Sequence, residues 1–211
     1  MLLIGTVASA QPQIGAGYLN STENSSYNGN KMDPVNSNGF YVGLSYNIPI
    51  VAGLGIAPGL YYSMLGSKKT DGFNLGRILT TNGETTFTEH AVNIPVLLNY
   101  GFDLAPDFRF FIYGGPTLQY GLSSKYVTNG SIDFLGLGGS GSKTLDNYAS
   151  ANSGYNRFNV YLGGGLGMNV AKHIQVTVGY DYGALNLYKG DEKDNIIRRR
   201  SNIKIGLAYL F

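Results

Sequence analysis

Residues 201–211 read S-N-I-K-I-G-L-A-Y-L-F, and the side chains change character at nearly every step. Ile203, Ile205, Leu207, Tyr209 and Phe211 make one face; Asn202, Lys204, Gly206, Ala208 and Leu210 make the other. Successive side chains of a strand point to opposite faces, so this segment has one wholly apolar surface and one that is small or polar. Two closed architectures use such strands. With the apolar faces outward the sheet sits in lipid; with them inward it is a water-soluble barrel around a greasy pocket.

The same alternation recurs along the chain. It starts weakly at Ile14, Ala16 and Tyr18, then runs strongly from Phe40 to Ile48, Leu54 to Met64, Val92 to Tyr100, Phe108 to Leu122, Phe158 to Val170 and Ile174 to Tyr182. With the closing segment this predicts eight strands. The connections between them alternate in kind. Residues 20–38, 66–87, 124–156 and 189–194 are long and rich in Asn, Ser, Gly or charge, whereas 49–53, 103–107 and 171–173 are tight turns. In an up-and-down barrel every second connection lies on the same rim, so one rim carries long loops and the other short turns. Pro58 lacks a ladder donor and predicts a bulge or local irregularity in the third strand.

Volume decides which face meets lipid. The inside of an eight-stranded barrel is only wide enough for side chains to fill. The face carrying Gly43, Ser45, Gly59, Thr117, Gly165 and Gly206 suits that interior, and the opposite face is crowded with Leu, Val, Ile, Tyr and Phe. Composition agrees: 13% of residues are charged and glycine reaches 31. An uncharged exterior of this kind aggregates in water. No apolar run approaches the roughly 18 residues of a membrane helix. Aromatics gather at both strand ends, Tyr46, Tyr100 and Tyr209 on one rim and Tyr18, Tyr120 and Phe158 on the other, as two girdles; general aromatic enrichment in strands is the competing reading. The expected fold is an all-β, eight-stranded antiparallel up-and-down transmembrane β-barrel with long loops on one rim and short turns on the other.

N-I-P-V-L-L-N-Y at residues 93–100, Y-G-G-P-T-L-Q-Y at 113–120 and the closing Y-L-F carry a resemblance. They resemble the outer-membrane β-barrel domain of the porin-like, PorT-like family of Gram-negative bacteria. That resemblance implies an integral outer-membrane barrel, mostly of unassigned role, with Phe211 as the signal read by the barrel-assembly machinery during insertion. It also implies, as one option, an accessory part of a secretion apparatus.

Residues 1–10 end in Ala8-Ser9-Ala10 after an apolar run, the small-x-small pattern of a signal-peptidase site, though a basic leading region is missing. They read as a signal-peptide remnant, with the barrel domain spanning 11–211; an ordinary first strand is the competing reading. An even strand number then places both termini on the short-turn, periplasmic rim.

No catalytic, cofactor or metal site is expected. His173 falls in a turn, where it reads as a solvated residue. His90 stands beside Glu89 on the lipid-facing parity with no serine one register step away on its own strand. The absence of cysteine removes thiol and Cys–zinc chemistry, and a net charge of +2 without a basic stripe gives no reason to expect nucleic acid. Inward charges are more informative. Asp181 lies seven residues from Ile174 and Lys204 seven from Phe211, so level pairing of those strand ends predicts a lumen ion pair, with Arg109 and Gln119 joining it in a polar plug. Arg199 points outward, roughly 30 Å above Phe211 and just past an apolar band about 25 Å tall, where it meets lipopolysaccharide phosphate or simply marks the interface. Arg198 and Arg200 are expected to pair with Asp191, Glu192 or Asp194. The functional expectation is a monomer set in outer-membrane lipid and lipopolysaccharide, structural or surface-binding through its loops towards an unknown ligand or protein, with a narrow solute channel as the alternative.

Overall fold

The computed structural model describes residues 10–51, 53–75, 79–134, 137–149, 154–171, 173–190, 192 and 194–211. Among these there are ten strands: β1 (Gln11–Tyr27), β2 (Asn30–Lys31), β3 (Val35–Val51), β4 (Leu54–Leu75), β5 (Leu79–Ala105), β6 (Phe108–Phe134), β7 (Leu137–Asp146), β8 (Phe158–Val170), β9 (Ile174–Gly183) and β10 (Ile196–Leu210). Eight of them form an antiparallel ring in the order β1-β3-β4-β5-β6-β8-β9-β10, closed by pairing of β10 with β1 from Gln13↔Leu210 to Tyr27↔Ile196. Closure leaves the barrel wall without an edge. Of the proposed signal remnant, residues 1–9 lie outside the described residues.

Parity holds as read from the sequence. Leu44, Leu60, Leu98, Ile112, Leu162 and Val178 are exposed on the outer wall. Gln13, Ser63, Thr117, Gln119, Asn159 and Asp181 are buried within. At the long-loop end Tyr62, Val92, Tyr120 and Phe158 lie side by side in one register row, and Tyr18 pairs with Phe40. Directly above that row the outer surface turns polar. Asn38 accepts from the Tyr18 hydroxyl at 2.5 Å and from the Asn20 amide at 2.8 Å, and Thr22 donates to Asn36 at 2.7 Å. The switch from rings to amides within two residues marks the upper limit of the apolar belt.

Three expectations are corrected. The polar stretches at 66–87 and 124–156 are not simple loops, because β4, β5 and β6 continue well past the belt and β7 folds back onto β6 from Phe134↔Leu137 to Lys125↔Asp146. Phe87 is buried against Tyr126 at the base of the extensions, and beyond that pair the described residues have no buried face, so they need no apolar alternation to form strands. Asn28 and Gly29, with φ of 48° and 81°, make the tight turn between β1 and β2, a geometry that Asn-Gly adopts readily. At Pro58 there is no bulge, since the register offset is the same on either side, but the ladder is locally interrupted. On β3 pairing skips from Ser45↔Gly59 to Ile48↔Ile56, and on β5 from Pro58↔Val96 to Tyr61↔Asn93; the β3–β4 register shift falls between Pro49 and Val51. A second shift lies at His90/Ala91, where β6 carries one extra residue.

Candidate functional site: the lumen and its closed mouth

Inside the wall, short polar chains link neighbouring strands. Tyr61 donates to Ser45 at 2.9 Å and Ser45 to Gln13 at 3.2 Å. Tyr161 donates to Gln119 at 3.2 Å, Gln119 to Asn93 at 3.0 Å and Asn93 to Ser63 at 2.8 Å. These surround a cavity of about 150 Å³ whose lining includes Arg109, Gln119, Asp181 and Lys204 together. Glycines make room for the larger rings: a Cβ at Gly17 would run into the Ile205 carbonyl oxygen and the Tyr41 ring, and one at Gly165 into the Val178 carbonyl oxygen and the Tyr113 hydroxyl.

The four lumen residues share this lining but make three separate contacts. Lys204 pairs with Asp181 at 2.5 Å. The expected level register is corrected: Tyr209, not Phe211, pairs with Ile174, so Asp181 faces Asn202 and the ion pair runs on the diagonal. Gln119 belongs to the amide chain just described. Arg109 stays at the short-turn rim, donating to the Gly53 carbonyl at 3.1 Å and lying 3.6 Å from Asp103.

The strongest electrostatic feature sits at the other end, and the strand-by-strand reading missed it. Arg200 donates to Glu89 across the lumen, to Glu23 at 3.1 Å and to the Tyr155 hydroxyl at 3.2 Å; Tyr155 in turn donates to Glu23. Arg200 and Glu89 are almost wholly buried, at 5% and 2% side-chain exposure. Arg200 is therefore paired within the barrel rather than with the charges of the last loop. Parity held the signal: Glu23, Glu89 and Arg200 all fall on inward positions just above the belt, but pairing across a lumen depends on barrel width, which a strand-by-strand reading does not supply.

Chain from two connections covers this cluster. Tyr148 and Tyr155 come from the segment between β7 and β8, and the buried Leu187 from the segment between β9 and β10; Tyr155 and Tyr188 form a bridge between the two. Arg198 lies 5.9 and 5.8 Å from the Tyr155 and Tyr188 ring centres, and Arg157 lies 5.1 Å from that of Tyr148. Burial first, and then the Glu23 carboxylate, pushes the Tyr155 hydroxyl well above its ordinary pKa, against the opposing pull of Arg200. A neutral hydroxyl suits a donor to a carboxylate.

On the outer wall Arg199 lies over the Tyr182 ring and donates to its hydroxyl at 2.6 Å. His90 is bonded to the Tyr62 hydroxyl at 2.5 Å, and its register partner on β6 is Ser123. His173 is not merely solvated: its Nδ1 is bonded to the Leu210 carbonyl at 2.9 Å and its ring stacks on Tyr209. Phe211 is exposed at the short-turn rim, its backbone amide bonded to Pro12.

A closed ring with an apolar belt, a polar core and aromatic rims is the architecture of a membrane barrel. The outer membrane protein beta-barrel domain matches residues 7–188. The chain belongs to that family. It is accordingly an integral protein of the bacterial outer membrane. No curated protein matches the chain. Among solved structures, Ail, the attachment invasion locus protein of Yersinia pestis, is 16% identical over 96% of this chain and 99% of its own, with a TM-score of 0.37. Neisserial surface protein A is 14% identical over 96% and 99%, with a TM-score of 0.42. The outer membrane protease OmpT of Escherichia coli is 11% identical over 98% of both chains, with a TM-score of 0.38. These likenesses assign no role within the family.

Proposed function

We propose that the protein is a non-enzymatic surface-contact barrel: a closed lumen holds the fold rigid, and the strand extensions of the long-loop rim meet a partner outside the cell. The observation that carries this reading is the Arg200–Glu89 bond across the lumen, under a lid of Tyr148, Tyr155 and Leu187. A mouth tied by this ion pair and covered by chain disfavours passage of solute. Above it, β4 to β7 continue as a four-stranded sheet roughly 30 Å long at 3.3 Å per residue. One face of that sheet holds a shallow depression of about 580 Å³ lined by Thr70, Asn82, Glu84, Asn129, Ser131 and Ser140.

In this reading both termini are periplasmic, the barrel is a monomer, and the Lys204–Asp181 pair, Arg109 and Gln119 form the polar plug of the lower lumen. Arg199 meets lipopolysaccharide phosphate, and Phe211 is read by the assembly machinery. The finer kinship is with the PorT-like proteins. The polar lining of the cavity supports one other reading, a narrow channel for small solutes. Shortening the β4–β5 and β6–β7 hairpins to the level of the belt is expected to abolish attachment of intact cells to host-matrix or cell surfaces while the barrel keeps its heat-modifiable migration in gels. Undiminished attachment by the shortened protein contradicts the surface-contact reading.

A further inference from the structure

The sheet that rises from the barrel has two outer edges, and they differ. Beyond Gly66 no described strand pairs with the free side of β4, and among the described residues β7 pairs with β6 alone. An unpaired edge offers a row of backbone donors and acceptors to any extended chain, and proteins normally blunt such edges with charge, proline or bulges. The β4 edge is blunted: Lys68, Lys69 and Asp71 follow one another within its first residues, the two lysines in ion pairs with Glu84 and Asp71. The β7 edge is not. Residues 137–142 are L-G-G-S-G-S, without charge or proline, and the β6–β7 ladder keeps one register from end to end.

We propose that the outer edge of β7 is a strand-addition site for an extended segment of another polypeptide. This rests on the surface-contact reading and names what the sheet takes. Every residue from Leu137 to Leu145 is exposed, and a Cβ added at Gly139 or Gly141 would meet nothing within 4 Å. The glycine positions therefore offer no side-chain pocket, and recognition there is through the backbone and tolerant of sequence. Lys143 has no ion-pair partner among the described residues, so it pins the register of an incoming segment that carries a carboxylate opposite it.

A second copy fits this edge poorly. Two copies upright in one membrane continue the antiparallel sheet only by setting β7 against the partner's β4. With the tips level, Leu137 against Leu75, Lys143 stands opposite Lys69, and directly opposed like charges are destabilising.

The test uses the folded full chain in detergent micelles and two acetylated peptides of alternating threonine and valine, one with a central glutamate and one with a central lysine. Hydrogen exchange is followed by mass spectrometry. The glutamate peptide is expected to slow exchange across residues 137–143 by about tenfold, and the lysine peptide by much less. Ser140→Lys with Ser142→Lys, which place charge on the exposed edge, are expected to abolish the protection while leaving heat-modifiable migration intact. Unchanged β7 exchange at saturating glutamate peptide, or equal protection in the double-lysine variant, overturns the proposal. So does a dimer in sedimentation that the double-lysine variant dissolves, which assigns the edge to a second copy. An unprotected β7 edge on a non-conducting barrel removes this inference alone, whereas a conducting wild-type barrel removes the surface-contact reading.

Discussion

Arg200 on β10 and Glu89 on β5 stand four strands apart in a ring of eight, so the bond between them crosses the full width of the lumen. Opposite walls of the barrel are tied at the level where the belt ends. Glu23 and the Tyr155 hydroxyl complete the same knot.

Arg200→Ala leaves two inward carboxylates without their cation. Removing one partner of a buried ion pair costs about 3–5 kcal/mol. The expected result is a marked fall in the denaturant midpoint of the folded barrel. Replacing all three charges together, Glu23→Gln, Glu89→Gln and Arg200→Met, is expected to recover most of the loss. A midpoint unmoved by Arg200→Ala contradicts the assignment of the knot as a buried tie.

Lys204 and Asp181 form a smaller, wetter pair, with 21% and 7% side-chain exposure. Lys204→Ala is expected to lower stability by about 1.5–3 kcal/mol, the range for a hydrogen bond to a charged group. A double-mutant cycle with Asp181→Asn should return a coupling of the same sign. Asn202→Ala, at the position that faces Asp181 in register, should couple less if the diagonal geometry is right.

Glycines inside the barrel are held to different standards by their surroundings. Gly17→Ala drives a methyl group into the Ile205 carbonyl and the Tyr41 ring, and overpacking of this kind costs about 1–3 kcal/mol. Gly139→Ala has open space and is expected to be neutral. Equal effects in thermal denaturation would mean that the lumen rings are not seated as described.

Much of this was legible in the sequence. Period-two alternation gave the eight wall strands and the face of each residue, because in a barrel one side is always lipid and the other always lumen. Two kinds of information were not local. The outer parts of the β4 to β7 extensions carry no face contrast, since both sides are in water, so residues such as Thr80 to Thr86 read as a polar connection. Partnerships across or along the wall, Arg200 with Glu89 and Lys204 with Asp181, depend on barrel width and on a register offset of two residues that the last connection sets. The extra residue of β6 beside His90 likewise left no mark in the pattern.

Tyr155 makes the lid sensitive to alkali. Its hydroxyl pKa is raised well above 10.0 in the folded state, chiefly by burial. A folded-state value above the unfolded one means that the contribution to stability is fully present below about pH 10 and is lost as pH climbs towards the folded value. The tyrosinate absorbance of wild type minus that of Tyr155→Phe is therefore expected to show no step near pH 10. An ordinary step there would place Tyr155 in water and the lid open.

The central claim is that the lumen is shut and the outer sheet is the working surface, and single-channel recording of the purified protein in planar bilayers tests it most directly. The wild-type barrel is expected to give no steady conductance in molar potassium chloride. Stable, ion-permeable openings of the unmodified protein would contradict the account.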